Sequence, residues 1–163
     1  MSLSLSNLQC RLFLSATVMM LPFGLVVAMP QIHYNKRLFP STRLMTTLHL
    51  EATQNSLMLA VVGLMLPFVK LSDTLLLVLE TSLNVGAWMN VLPWLYGGYT
   101  GAVMPYIEGS LSDQRNQTVP KNNEVLVGRI QSCLMTCGLG DTIAWSLVAF
   151  GLVNKLMEKK SVE

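Results

Sequence analysis

Three apolar stretches of this sequence each contain polar or ionisable side chains at short, regular intervals. In one of them Glu80, Asn84 and Trp88 recur every four residues, a spacing that places all three on one face of a helix. An earlier stretch opens with His49 and, six positions later, Asn55. A later stretch carries the series Arg129, Cys133, Cys137, Asp141 and Trp145. Imidazole, carboxyl and amide groups can bind a metal, move a proton or orient a substrate, so these three stretches form the candidate site.

Structural roles compete with chemistry at each of these positions. Amides such as Asn84 commonly hydrogen-bond between membrane helices, a contact worth about 0.6 kcal/mol on average. Glu80 and Asp141 could form ion pairs with Arg129 or be protonated, and in either case have purely structural roles. A single histidine in a membrane, such as His49, is more often hydrogen-bonded than bound to a metal. Histidine is nevertheless the usual proximal ligand of haem iron, and an apolar helix bundle is where a porphyrin would partition.

The composition indicates a protein that lies in a membrane. Of the 163 residues, 52% are hydrophobic and only 12% are charged, and the mean hydropathy is +0.48. An ordinary soluble domain has roughly 25% charged residues, about twice this share. The net charge is only +2 and forms no basic stripe, which argues against nucleic acid as a partner.

The charges divide the chain into four apolar spans, separated by polar connections. A membrane helix needs about 20 mostly apolar residues, and a backbone in lipid must satisfy its own hydrogen bonds. The sequence therefore predicts an all-α, multi-pass, integral-membrane four-helix bundle that forms one domain over residues 1–163. The predicted spans and the longest polar loop are at about residues 11–30, 47–70, 73–98 and 124–155, and at about 98–121.

Three further features refine this prediction. The glycine-rich residues 97–105 are expected to form an interfacial or re-entrant hairpin after the third span. The first span shows no polar face, and its apolar run, residues 12–29, is longer than the roughly 7–15 residues usual in a signal peptide, which favours a retained helix. Cys133 and Cys137 are one helical turn apart, but two thiols alone make a poor metal site, so a helix contact is favoured.

Three segments of the sequence resemble a known family. Residues 49–55, His-Leu-Glu-Ala-Thr-Gln-Asn, resemble the second helix of the styrene oxide isomerase and hydroxylaminobenzene mutase group of small four-span membrane proteins. Residues 79–86, in which Glu80 precedes Asn84-Val85-Gly86, resemble the third helix of the isomerases. Residues 98–105 are similar to the Gly/Ala-rich turn of the mutases. The fourth span is similar only in hydrophobicity and length.

The resemblance implies a haem b protein in which His49 is the axial iron ligand. The haem would lie near the subunit interfaces of a homo-trimer, with Asn55 beside the open iron face to orient the substrate oxygen. Glu80 and Asn84 would line the same pocket. Trp88 departs from the family, because the isomerases have a tyrosine there and an indole cannot supply a phenol proton. We place Trp88 against the cofactor, and the other candidates for the pocket wall are Trp94 and Phe68.

The implied function is a haem-dependent isomerase that converts an epoxide into a carbonyl compound through Lewis-acid ring opening and a 1,2-shift. Its small hydrophobic, oxygenated substrate would arrive from the lipid bilayer. The Asn-Val-Gly sequence favours this reaction, whereas the His-Leu-Glu start favours a mutase that converts an arylhydroxylamine into an aminophenol. A non-catalytic four-span haem carrier or scaffold is the alternative from another class. A pore or transporter is less consistent, because the chain has no internal repeat.

Overall fold

The computed structural model describes residues 4–27, 42–100 and 123–160, and all regular structure in these ranges is helical. Helix α1 is Leu5–Met19 and continues as a π-helical segment, Met20–Val27. Helix α2 is Thr42–Met65, followed by the short 3-10 turn Leu66–Phe68. Helix α3 is Asp73–Thr100 and helix α4 is Asn123–Lys160. The prediction of an all-α chain with four helices is confirmed.

The prolines explain where the helical geometry changes. Pro22 lies in the π-helical segment, and Pro67 lies at the start of the 3-10 turn that ends α2. A proline ring cannot donate the backbone hydrogen bond of a regular helix, so both positions break the α-helical pattern. Pro93 lies inside α3, which continues for seven more residues, to Thr100. Membrane-type helices tolerate such a proline where neighbouring groups satisfy the freed carbonyl.

The structure differs from the hairpin expected at residues 97–105. Gly97 and Gly98 are helical and buried within α3, while residues 101–105 lie outside the described ranges. A Cβ at position 98 would overlap the sulfur of Met45 on α2. Gly98 therefore serves close packing of α3 on α2 rather than a turn, and composition alone does not distinguish these roles.

The helices pack in the order of the chain. Helix α1 packs on α2, α2 packs on α3, and α4 packs chiefly on α3. Leu12 and Met19 of α1, Leu59 of α2 and Leu83 of α3 are almost completely buried in the shared core. Helix α3 therefore lies between α2 and α4, while α1 is held chiefly by α2.

Two of the described helices, α3 and α4, are long and apolar enough to cross a membrane. That test alone is weak, because a core helix of a soluble protein also passes it. Helix α4 is no such core helix, since Met135 is 77% exposed and Leu139 is 64% exposed. Exposed apolar surface of this extent marks a lipid-facing or protein-facing surface. The polar first half of α2, which includes His49, Glu51 and Asn55, lowers the hydropathy of that helix.

Candidate functional site

His49 lies on α2 between its buried and exposed faces. Its side chain is half-buried, and the core residues next to it, Met45, Leu48 and Ala52, are completely buried. On its other side Leu50 is 54% exposed. The imidazole therefore lies at the edge of the core that the described residues form, next to the exposed Leu50.

Asn55 is buried and belongs to a network that joins α2 to α3. Its Nδ2 donates to the backbone carbonyl of Glu51 at 2.7 Å and lies 3.4 Å from Glu51 Oε2. Asn90 Nδ2, on α3, donates to the same Glu51 oxygen at 2.7 Å. Asn55 is only 4% exposed. The three side chains thus form a continuous polar contact inside the helix bundle.

Glu80 faces α1, and its predicted partner is wrong. Its Oε2 lies 3.7 Å from Arg11 Nη1, whereas Arg129 donates to the hydroxyl of Tyr96 at 3.1 Å. Residue 129 lies near the start of α4, beside the end of α3 that is far from Glu80. Helical spacing predicts which residues share a face of a helix, but it does not show which neighbouring helix that face meets.

Trp88 and Asn84 continue the same face of α3. Trp88 Nε1 donates to Ser15 Oγ of α1 at 2.9 Å, and its ring meets Phe23 edge-on, with 5.9 Å between centroids. Asn84 Nδ2 donates to the backbone carbonyl of Glu80 at 3.0 Å. The polar face of α3 is therefore turned towards α1.

Helix α1 was expected to lack a polar face, and this expectation is wrong. Arg11 and Ser15 contact Glu80 and Trp88, and Gln9 Nε2 donates to the carbonyl of Gly63 on α2 at 2.9 Å. Arg11 and Ser15 are four positions apart and share one face, whereas Gln9 lies about 200° around the helix from Arg11. Two polar residues near the start of the span were too few to predict a polar face from the sequence.

The predicted site residues fall at different levels along the bundle. Helices α2 and α3 are antiparallel, and the Glu51–Asn90 hydrogen bond sets their register. Trp88, two residues before Asn90, lies close to the level of Asn55. Glu80 is ten residues before Asn90, and His49 is two residues before Glu51 on the antiparallel helix. The levels of Glu80 and His49 therefore differ by twelve residues, or about 18 Å at 1.5 Å per residue. Phe68 lies in the turn after α2, still further from that histidine.

Asn90 was not predicted from the sequence, and Glu51 was not among the predicted site residues. Asn90 is two residues beyond Trp88, so it does not fit the four-residue series that begins at Glu80. The available signal was its type, since an amide within an apolar span needs a partner and Glu51 is an acid in the neighbouring span. Only the register of the two helices shows that these two side chains meet.

A second polar contact lies within α4, on the face that packs against Gly86 of α3. Cys137 Sγ lies 3.4 Å from Asp141 Oδ2, while Asp141 Oδ1 is a buried atom without a hydrogen-bond partner among the described residues. Cys137 is buried and Cys133 is half-buried. In the part of the chain that the structure describes, no three His, Cys, Asp or Glu side chains group as ligands of one metal ion. A haem iron needs only one such ligand, so that finding has no bearing on His49.

Comparison with known proteins identifies the family. The profile described as styrene oxide isomerase matches residues 11–153, a range that contains His49, Asn55, Glu80, Asn84 and Trp88. No curated protein and no solved structure matches the chain. The matched range covers parts of all four helices and most of the sequence. The chain therefore belongs to the styrene oxide isomerase family.

Proposed function

We propose that this protein is a multi-pass membrane isomerase that rearranges a small, hydrophobic, oxygenated substrate without net oxidation or reduction. The observation that carries the proposal is the family match over residues 11–153. The exposed apolar residues on the outer surface of the bundle support a position in the lipid bilayer, from which such a substrate would enter. Leu14, Leu64 and Leu139 are among the most exposed of them.

Haem b is the cofactor that the proposal assigns to His49. Imidazole is a common axial ligand of haem iron, and a single protein ligand leaves the other iron face open. The completely buried Met45, Leu48 and Ala52 already fill the core beside this histidine. His49 is half-buried at the edge of this core, so a porphyrin held by it would lie at that edge and not within the core. This placement supports an assembly in which other copies of the chain cover the group, and we propose a homo-trimer.

The residues of the chain supply binding and orientation. Bound ferric haem would supply a Lewis acid for the substrate oxygen. His49 holds the group, and Asn55 orients the oxygen of the substrate. Trp88 and Phe23 form an aromatic wall near the level of Asn55, and such apolar surface excludes the water that would otherwise add to the reacting carbon. In the proposed pocket Asn84 contributes an amide group, which is held by its hydrogen bond to the Glu80 backbone carbonyl of the same helix.

The proposed reaction is the conversion of an epoxide into a carbonyl compound, in agreement with the description of the family. Conversion of an arylhydroxylamine into an aminophenol is the second candidate, and the geometry of Asn55 favours it. Both amide hydrogens of Asn55 face acceptor atoms of Glu51, so its oxygen is left for the substrate. A hydroxylamine can donate to that oxygen, whereas an epoxide oxygen has only lone pairs.

Turnover without a reductant tests the proposal. Purified protein is incubated separately with styrene oxide and with phenylhydroxylamine, without NADH or NADPH, and the aldehyde or aminophenol product is measured. We expect one of the two to be rearranged, and the His49→Ala variant to lose that activity. Protein that binds haem stoichiometrically but converts neither compound would instead favour the non-catalytic carrier.

A further inference from the structure

The amide of Asn55 can adopt only one orientation in the observed contacts. Its Nδ2 faces the backbone carbonyl of Glu51 at 2.7 Å and the carboxylate of Glu51 at 3.4 Å. Both partners are oxygen atoms, and the backbone carbonyl accepts hydrogen bonds only. Turning the amide over would place its own oxygen 2.7 Å from that carbonyl, where two acceptors repel. The oxygen of Asn55 is therefore the atom left to contact a ligand.

Helix α3 decides where the carboxylate of Glu51 lies. Asn90 Nδ2 donates to Glu51 Oε2 at 2.7 Å, which is much shorter than the 3.4 Å between that oxygen and Asn55 Nδ2. The Glu51 side chain has several rotatable bonds and would lose this position without a firm partner. Asn90 thus holds the carboxylate from the opposite helix, and the carboxylate in turn occupies the second amide hydrogen of Asn55.

We propose that Glu51 and Asn90 are positioning residues that keep the second amide hydrogen of Asn55 occupied, so that Asn55 presents only its carbonyl oxygen to the substrate. The inference rests on the proposed function in one respect, namely that Asn55 contacts the substrate. An amide oxygen accepts hydrogen bonds and cannot donate them. The site therefore prefers a ligand with an O–H or N–H group at the contact over a ligand of similar shape with lone pairs only. Arylhydroxylamines have such groups, and epoxides do not.

A matched pair of non-reactive ligands tests this preference independently of turnover. Benzyl alcohol carries an O–H donor, and benzyl methyl ether has a similar shape but no donor. Their dissociation constants are measured by equilibrium dialysis on purified protein in detergent. We expect the wild type to bind the alcohol about 3- to 10-fold more tightly than the ether, the range that one hydrogen bond supplies.

Variants assign the preference to the network. Glu51→Leu keeps the backbone carbonyl but frees the second amide hydrogen of Asn55, which can then donate to the ether oxygen, so the ratio of the two dissociation constants should fall close to one. Asn90→Leu releases the carboxylate and should lower the ratio less. Gln9→Leu is the matched control, because it also removes an amide hydrogen bond between helices, from Gln9 Nε2 to the Gly63 carbonyl at 2.9 Å, at a distant level of the bundle. The control should keep the wild-type ratio.

A purely structural role of the network would have a different signature. It would lower the stability of all three variants and leave the ligand ratio unchanged, and that result would overturn the inference. Equal binding of both ligands by the wild type, or binding of neither, would overturn it too. If phenylhydroxylamine is turned over, Glu51→Leu should change its KM little, because the carbonyl oxygen of Asn55 remains in place to accept the hydrogen bond.

Failure of this inference and failure of the proposed function are distinguishable. Protein without haem or turnover that still shows an Asn90-dependent preference for the alcohol would contradict the isomerase proposal and leave the role of the network standing. A haem-containing, active protein whose ratio of dissociation constants is as high in Glu51→Leu and Asn90→Leu as in the wild type would support the isomerase proposal. It would contradict the proposed role of the Glu51–Asn90 network.

Discussion

Gly86 on α3 lies directly against Asp141 on α4. A Cβ atom at position 86 would lie 3.1 Å from both the Cγ and the backbone nitrogen of Asp141, and it would overlap Oδ1. Gly140 makes the reciprocal approach, since its Cβ would lie 2.8 Å from the Ser82 carbonyl oxygen and 3.0 Å from the Gly86 nitrogen. Small residues at facing positions let two membrane helices approach closely. The glycine of the Asn84-Val85-Gly86 segment therefore has a packing role in this chain.

The Gly140→Ala variant should destabilise the bundle. The added methyl group meets backbone atoms of α3, which cannot move aside as a flexible side chain can. Forcing extra atoms into a packed contact typically costs about 1–3 kcal/mol. We expect a lower thermal midpoint in detergent for Gly140→Ala, and also for Gly86→Ala.

Two other glycines of α4 provide matched controls. A Cβ at Gly128 or at Gly138 would meet nothing within 4 Å. Alanine is favoured over glycine inside a helix by up to about 1 kcal/mol, so these variants should be neutral or slightly more stable. A midpoint lowered equally in Gly138→Ala and Gly140→Ala would contradict the close approach of α3 and α4.

The Arg11–Glu80 pair gives a second prediction. The oppositely charged atoms are 3.7 Å apart, and the Arg11 side chain is 59% exposed, so the pair should contribute little, less than about 1 kcal/mol. Glu80→Gln keeps the shape of the side chain and removes its charge. Because Glu80 lies far along the bundle axis from His49, we expect turnover by the Glu80→Gln variant to stay within about threefold of wild type. Loss of a transition-state contact worth about 1.4 kcal/mol would instead lower turnover about tenfold. A hundredfold loss of kcat without loss of stability would instead establish the catalytic role predicted from the sequence.

Trp88 provides a third prediction through its hydrogen bond to Ser15. Trp88→Phe removes the indole N–H and keeps an aromatic ring against Phe23, so it should cost about 1 kcal/mol. Ser15→Ala should cost a similar amount, and the double variant should lose little more, because both changes remove the same bond. If Trp88 packs on the haem, Trp88→Phe will also shift the visible absorption spectrum, while Ser15→Ala will leave it unchanged. Additive losses in the double variant would contradict the contact.

Glu158, at the exposed end of α4, gives a prediction for acid pH. Lys70 Nζ lies 2.7 Å from Glu158 Oε1, and this hydrogen bond, with the charges of Lys70 and Lys155, holds the pKa of the carboxyl below its ordinary value of 4.5. A lowered pKa in the folded state means that the carboxylate stabilises the fold at pH values above its ordinary pKa. That contribution is lost as the pH falls through the lowered value.

Thermal unfolding at about pH 6 and about pH 3 measures this effect, because the two values lie on either side of the titration. The wild type should lose more stability between them than Glu158→Gln, which cannot titrate at this position. The comparison removes the contribution of the other carboxyl groups, which both proteins share. Equal losses in the two proteins would contradict the role of the Lys70–Glu158 contact.

Part of this structure could be predicted from the sequence. Long apolar runs with polar residues every four positions give helices and the faces they share, and Glu80, Asn84 and Trp88 do lie along one face. Periodicity does not show which helix a face meets, so Glu80 was assigned to Arg129 and lies beside Arg11. Asn90 was missed for the same reason, because its contact with Glu51 depends on the register of two helices.

The central claim of this account is that His49 holds a haem group, and the visible absorption spectrum of the purified protein tests it most directly. We expect a Soret band that is lost in His49→Ala and retained in His33→Ala, which replaces the other of the two histidines in the sequence. A stable, colourless wild-type protein after expression with sufficient haem, or a band that survives in His49→Ala, would contradict the claim.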